Sequence, residues 1–443
     1  MNRYSHVLVL LTLVAACGGS DAPPRDLDAE LGAGLQGIKP LTPQPAQDPA
    51  LVDLGRALFF DKILSGNRDI SCATCHLAGF ALGDGLSLSI GTGGTGAGPA
   101  RTLGAGREFE PRKAPTLLNL GFLAESGDGA LFWDGRVRNF GGLLLTPAGA
   151  AMPPEVTDVL VAQAMFPVVS RVEMRGEPGD LDRLGNANEL AAFGDTDFAG
   201  IWQAIMQRLL AIPEYVGKFN AAFPGTATNA LGFRHAAAAI AAFERQSLNR
   251  IDSPFDRYLS GDNAALTTQQ KRGGILFSGP GRCVNCHGGN TLGGRTLAFN
   301  IGAPQLGPGV GAAAPLDSGF GAFRFRPPPL RNVELTAPYM HDGAYATLEA
   351  VVRHYNDVVF AQQNFGVSQL APMFRARHHG DAATVAAVSA TLNNELLPPS
   401  GTLADAGDRD DLVAFLKSLT DPAARDLSSL VPASVPSGLP IAD

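Results

Sequence analysis

Gly281-Arg-Cys283-Val-Asn-Cys286-His287, running on through Leu330-Arg-Asn-Val-Glu-Leu-Thr-Ala-Pro-Tyr-Met-His-Asp-Gly343 to Tyr355, is the stretch that decides how this chain must fold. Cys-x-x-Cys-His is the attachment pattern of c-type haem: two thiols bond to the porphyrin edge and the adjacent His ligates the iron. The pattern occurs a second time as Cys72-Ala-Thr-Cys75-His76, so four of the five cysteines sit in the two motifs. Zinc would need further Cys or paired His nearby, and disulfides would leave both histidines unexplained. Two covalently bound haem c groups on one chain is the reading that the rest must fit.

A chain of 443 residues that is 45% hydrophobic is long enough for two or three domains with cores of their own. Its net charge of −8 gives no reason to expect nucleic-acid binding. Abundant Gly (53) and Pro (32) predict many loops around modest helices. Arg3 followed by the apolar run Val7–Val14 and Ala15-Ala16-Cys17 reads as a secretory signal over 1–17 with a lipobox-like end, too short to span a membrane. Cys17 is then the lipidated first residue; the alternative is an ordinary cleaved signal. The expected location is periplasmic, as a membrane-anchored lipoprotein, with 18–47 as a flexible tether.

From Asp48 the pattern turns globular. Leu51, Leu54, Leu58 and Phe59 share a helical face ahead of the first motif. Leu86–Ile90 could be a strand, and Gly91-Thr-Gly-Gly-Thr-Gly96 after it matches G-x-G-x-x-G, but Ala-Gly-Pro99 follows where a phosphate-binding helix would have to begin. Ile201, Ile205 and Leu209 predict a helix stopped by Pro213, and Phe233, Ile240 and Phe243 a second within Leu231–Leu248. Ser253-Pro-Phe-Asp-Arg-Tyr258 reads as a link between halves. Thr267-Thr-Gln-Gln270 is a capping box, and Leu412, Phe415, Leu416 and Leu419 form the stripe of a closing helix. The expected division is a first haem domain over 48–260, a second over 261–425, and a tail over 426–443.

In the segment after Thr347, Leu348, Val351, Val352 and Tyr355 fall at i, i+3, i+4 and i+7. Tyr355 therefore faces inward and His354 points about a quarter turn away. His378-His379-Gly-Asp381 could bind a metal, an exposed polar loop being the plainer reading.

The order Cys72-x-x-Cys75-His76, Ala114-Pro-Thr-Leu-Leu-Asn119, Phe132-Trp-Asp-Gly-Arg136, Val172-Glu-Met174, Phe255-Asp-Arg-Tyr258, Cys283-x-x-Cys286-His287 and Leu330–Gly343 resembles the bacterial di-haem cytochrome c peroxidase/MauG superfamily, from Asp48 to about Thr420. The resemblance implies a mainly α fold of two cytochrome-c-like haem domains with long loops. It implies a peroxidase that reduces hydrogen peroxide at the N-terminal haem. Electrons would enter through the C-terminal haem from a small periplasmic donor such as cytochrome c or a cupredoxin. The alternatives are a MauG-like enzyme that oxidises a protein side chain through a high-valent iron state, and a non-enzymatic di-haem electron carrier.

By the resemblance His76 is the proximal ligand of the peroxidatic haem and His287 that of the electron-entry haem. Trp133 lies between them, and Glu173 with Gln163 stands over the peroxide-binding face, although the chain carries an insertion between Arg136 and Gln163. Glu173 also makes chemical sense there, because splitting a peroxide bond requires a carboxyl group that moves a proton; the bland reading is a surface carboxylate near Arg171 and Arg175. The family position of Tyr355 holds Met in conventional peroxidases and Tyr in MauG-like enzymes, so Tyr355 is the expected second ligand of the C-terminal iron, with Met340 or Met373 as the alternative. Thr92 falls where conventional peroxidases carry a removable His, so the first haem should be open. Lys113 replaces the Asn that ligates an inter-haem calcium together with carbonyls matching Thr336 and Pro338, which leaves calcium open. His341 is expected to be structural or hydrogen-bonding, and a homodimer stays open.

Overall fold

The computed structural model describes residues 25–124, 129–293, 297–308 and 320–442; the signal segment over 1–17, with Cys17, lies outside them. Among the described residues helices dominate. The strands form one antiparallel sheet in the order β1 (Ala130–Leu131), β2 (Val137–Phe140), β3 (Leu143–Leu145), with Leu131 opposite Val137 and Arg138 opposite Leu145. The β2–β3 hairpin opens the segment that the resemblance marks as inserted, and its tip leaves Phe140 and Leu143 exposed.

One helix pair is built twice. Helix Pro49–Phe60 crosses helix Phe233–Ser247, and helix Thr268–Ser278 crosses helix Ala406–Ser418. At each crossing a glycine lets the backbones touch: a Cβ on Gly55 would lie 1.9 Å from the Ala239 carbonyl oxygen, and one on Gly273 1.9 Å from that of Asp411. Four residues after each glycine stands a phenylalanine, one helical turn on and on the same face. Phe59 packs on Phe243 with ring centroids 5.4 Å apart, and Phe277 packs on Phe415 at 5.2 Å. The starts are capped: Asp48 caps the first helix with Pro49 at its first position, Thr267 forms the reciprocal box with Gln270 that the spacing predicts, and Thr347 accepts from the Ala350 N–H.

Two hydrophobic cores result, but they do not follow the chain order. The predicted tether over 18–47 is not loose where it is described. Leu27–Gly34 is a helix capped by Asp26; Leu31 and Leu35 enter the second core, and Lys271 pairs with Asp28 at 2.7 Å. The tail likewise returns to the first core with Leu427, Leu430 and Val435, while the Ser437 hydroxyl donates to Asp61 at 2.6 Å and Lys62 Nζ to the Ala442 carbonyl at 3.0 Å. A buried Leu contributes about 1.5–3 kcal/mol, which offsets the ordering of only one or two backbone residues at about 1–2 kcal/mol each. The hydrogen bonds are therefore needed to hold these straps. Their Pro- and Asp-rich surroundings hide the few leucines that anchor them.

Two further expectations change. Leu86–Ile90 is not a strand; its apolar residues are buried in the second core and the segment joins no ladder. The link between halves is a helix, Pro254–Leu259, boxed by Ser253 and Asp256. Asp256 also pairs with the buried Arg331, and its second oxygen accepts from the Ser253 N–H and hydroxyl. Two residues of the family-like motifs thus hold each other, and their role is structural.

Candidate haem sites

Each Cys-x-x-Cys-His motif opens onto a cavity. Cys75 and His76 border two lobes, Cys72 one of them, and Cys283, Cys286 and His287 border a second cavity; together with the solvent space at their mouths the lobes measure about 490 and 860 Å³ and the second cavity about 1190 Å³. Such volumes suit a large planar cofactor and far exceed what an ion or water needs. The thiols are free, and burial pushes those of Cys72 and Cys283 up to about 12. His76 Nδ1 donates to the Leu82 carbonyl at 2.8 Å, and His287 Nδ1 donates to that of Leu292 at 3.1 Å. Leu82 and Leu292 both adopt left-handed backbone conformations, which turn these carbonyls back onto the rings. Each bond fixes the tautomer and leaves Nε2 as an unprotonated ligand atom. Burial keeps both rings neutral, lowering His287 to about 4. Thiols, ring orientation and volume therefore fit a c-type haem at both places.

Glu173 borders both lobes of the first cavity together with Gln163 and His76. It sits on one wide helical turn, Arg171–Arg175, started by Ser170. That turn is gripped from outside: Thr92 N–H donates to the Glu173 carbonyl and Gly66 N–H to that of Met174. A Cβ on Gly91 would stand 1.9 Å from the Val172 carbonyl oxygen, so the Gly-rich loop is a clamp on this turn. Arg101 holds the loop in turn by donating to the carbonyls of Ile90 and Gly91. Among the described residues Arg171 and Arg175 both pair with Asp195, and Glu173 forms no ion pair with either. Burial raises the Glu173 carboxyl, against the pull of Arg136.

Thr92 is buried but borders neither cavity; its hydroxyl donates to Asp69 at 2.8 Å. Among the described residues, the lobe shared by His76 and Trp133 has no Tyr, Met or second His in its lining. Met174 borders only the other lobe and belongs to the hydrophobic core.

The second cavity differs. Tyr355 borders it, with its phenol pushed far up by burial, and so does Met340. Met373 does not, and is 37% exposed. His354 is turned away as its helical position predicts. Its Nε2–H donates to the Ile301 carbonyl at 2.9 Å, and Nδ1 accepts from the Tyr345 hydroxyl at 3.0 Å. His341 borders the same cavity and stacks on Phe325 at 3.7 Å.

Trp133 lines both cavities, and its indole N–H donates to the Lys113 carbonyl at 2.8 Å. Lys113 is buried; its ammonium donates to the Thr336 carbonyl, one of the two oxygens that the resemblance gives to calcium, and its backbone N–H to the His341 carbonyl at 3.0 Å. Among the described residues no group of three His, Cys, Asp or Glu could hold a metal ion. In the His378–Asp381 loop His379 is spent on the Gly307 carbonyl at 2.8 Å, and Asp381 caps a helix.

Sequence reasoning missed three charged groups. Glu110 borders the first cavity and burial raises it to about 8, with the Glu173 charge adding to the rise. Glu244, on helix Phe233–Ser247, borders the lobe behind the motif and is likewise raised to about 8 by burial. Arg326 lines both cavities. Glu110 and Arg326 lie in irregular segments with no period to betray them. The one readable signal was a carboxylate on the apolar face of an Ala-rich helix.

A model of the di-haem cytochrome c peroxidase family matches residues 49–264. The chain is 35% identical over 306 residues to the cytochrome c551 peroxidase of Pseudomonas aeruginosa, covering 68% of this chain and 70% of that one. It is 32% identical over 347 residues to the methylamine utilization protein MauG of Methylorubrum extorquens, covering 77% and 78%. Among solved structures, a MauG-like protein associated with microbial copper homeostasis superposes with a TM-score of 0.56 at 27% identity, over 90% of this chain and 97% of that one. The di-haem peroxidase BthA of Burkholderia thailandensis shares the fold with a TM-score of 0.52 at 21% identity, over 90% and 95%.

Proposed function

This chain belongs to the di-haem cytochrome c peroxidase family, and we propose that within it the His76 cavity reduces hydrogen peroxide to water while the His287 cavity takes in electrons from a small periplasmic donor. The family implies two haem c groups, held by Cys72, Cys75 and His76 and by Cys283, Cys286 and His287. When bound, they supply the iron chemistry that exchanges electrons with peroxide and donor. The observation that carries the proposal is the asymmetry of the cavities among the described residues: Glu173, Gln163 and no Tyr, Met or second His where the first meets Trp133, against Tyr355 and Met340 in the second.

The chain's own part in the first cavity is proton handling. Reducing one peroxide to two waters consumes two electrons and two protons. The Glu173 carboxyl, raised above the ordinary carboxylate range by burial, would give a proton to the departing oxygen and recover one afterwards. Gln163 offers an amide to orient the peroxide. In the second cavity the Tyr355 phenol is the side chain we assign to close the remaining position. Trp133, shared by both walls, is the route between them.

Spectroscopy of the purified oxidised protein tests this. We expect one high-spin and one low-spin haem, and peroxide consumption with reduced cytochrome c that Glu173→Gln suppresses. A single haem, or two low-spin haems inert to peroxide, sinks it. The second reading, oxidation of a protein side chain, draws support from Tyr355 and from Thr92 being turned away to Asp69. It predicts a long-lived oxidised form after peroxide and slow turnover with any small donor. We also propose export and lipid attachment at Cys17. No helix among the described residues is long and apolar enough to cross a membrane. Cys17→Ala should therefore release the protein from the membrane fraction; an unchanged distribution rejects the anchor.

A further inference from the structure

Among the described residues bordering the cavities, Trp133 and Arg326 alone line both. Arg326 is 3% exposed. Its backbone N–H donates to the Trp133 carbonyl at 3.0 Å and its Nε to the Phe132 carbonyl at 2.7 Å, so the base of the guanidinium is tied to the segment that separates the two sites. Its Nη1 is buried and has no hydrogen-bond partner among the described residues. The neighbouring cations are engaged otherwise. Lys113 donates to Thr336, and Arg136 donates to Asp134 at 3.0 Å while lying over the Phe132 ring. Asp134, the acid whose charge acts on Arg326, is already paired with Arg136, and no hydrogen bond joins it to Arg326. Burial lowers Arg326 only to about 10, so it stays charged at neutral pH.

A buried charged donor without an acceptor is too costly to keep unless a ligand completes it. A guanidinium fork, fixed by its Nε, matches a carboxylate in particular. Resting on the two-haem reading, we infer that Arg326 is a positioning residue: at the junction of the cavities its free Nη1 grips a propionate carboxylate of a bound porphyrin and thereby sets that haem's potential. The cationic fork and the main-chain ties to Phe132 and Trp133 would fix the porphyrin edge against the indole between the sites.

The test is redox titration of the full-length, haem-loaded protein as native, Arg326→Gln and Arg326→Lys, with haem counted independently by its alkaline pyridine spectrum. Removing a positive charge next to a porphyrin favours the ferric state. Arg326→Gln should therefore lower the midpoint potential of one haem, or of both if both are gripped, while the count stays at two because attachment is through the cysteines. Arg326→Lys, which keeps the charge and loses the fork, should recover part of the shift. Should Arg326→Gln fail to mature, the partial shift in Arg326→Lys carries the test. Two haems with potentials unmoved in whichever variants mature overturn the clamp. A native chain bearing fewer than two haems would instead overturn the reading it rests on.

Discussion

Gly55→Ala and Gly273→Ala put the duplicated helix crossing to a quantitative test. Each new Cβ would stand 1.9 Å from a carbonyl oxygen of the facing helix, whereas ordinary contact begins near 3.4 Å. The helices must part by about the difference, roughly 1.5 Å, because a backbone carbonyl cannot rotate away as a side chain can. Overpacking of this kind costs about 1–3 kcal/mol, more than the roughly 0.5–1 kcal/mol that Ala gains over Gly in a helix. The net loss of roughly 0–2.5 kcal/mol lowers Tm by up to about 10 °C for a unit of about 150–250 residues. Gly217 is the control: it lies in helix Pro213–Ala222 with nothing within 4 Å of its added Cβ, so Gly217→Ala should stabilise. Calorimetry of the haem-loaded protein gives the ranking. The damage should also be local. Ile240 and Glu244 border the first cavity, so Gly55→Ala should disturb the His76 haem spectrum; Phe277, Leu412 and Leu416 border the second, so Gly273→Ala should disturb the other. If both variants are as stable as Gly217→Ala, the close-crossing argument is wrong.

Glu173→Gln should slow the reaction of the oxidised protein with peroxide by about 10²–10⁴-fold at unchanged haem content, measured by stopped flow; a rate within threefold of native removes Glu173 from proton transfer. The Glu244 carboxyl is raised from 4.5 to about 8 by burial, so its neutral form adds stability in full below pH 4.5, and that stability is lost as pH rises to about 8. Thermal unfolding should therefore show the native protein losing ground to Glu244→Gln across that window, and parallel pH profiles would contradict the burial argument. Tyr355→Met should raise the midpoint potential of the His287 haem, because a thioether favours ferrous iron more than a phenolate does; no change in potential or in the low-spin spectrum would hand the ligand role to Met340.

The chain by itself determined what local covalent chemistry and short periods encode: both haem attachment motifs, the helical face from Leu51 to Phe59, the capped helices at Thr268 and Leu348, and the aim of Tyr355 at the second cavity. Those features depend on residues a few positions apart, so spacing alone exposes them. Only the tertiary structure decided that 27–34 and the tail are straps on opposite cores, that Thr92 is turned to Asp69, and that Glu110, Glu244 and Arg326 are buried at the cavities. A charge acquires its altered protonation, or its missing partner, from neighbours hundreds of residues away that strip its water and supply or withhold a counter-charge. For Glu110 and Arg326 such an environment leaves no trace in the order of the residues around them; for Glu244 the trace is its place on the apolar face of an Ala-rich helix.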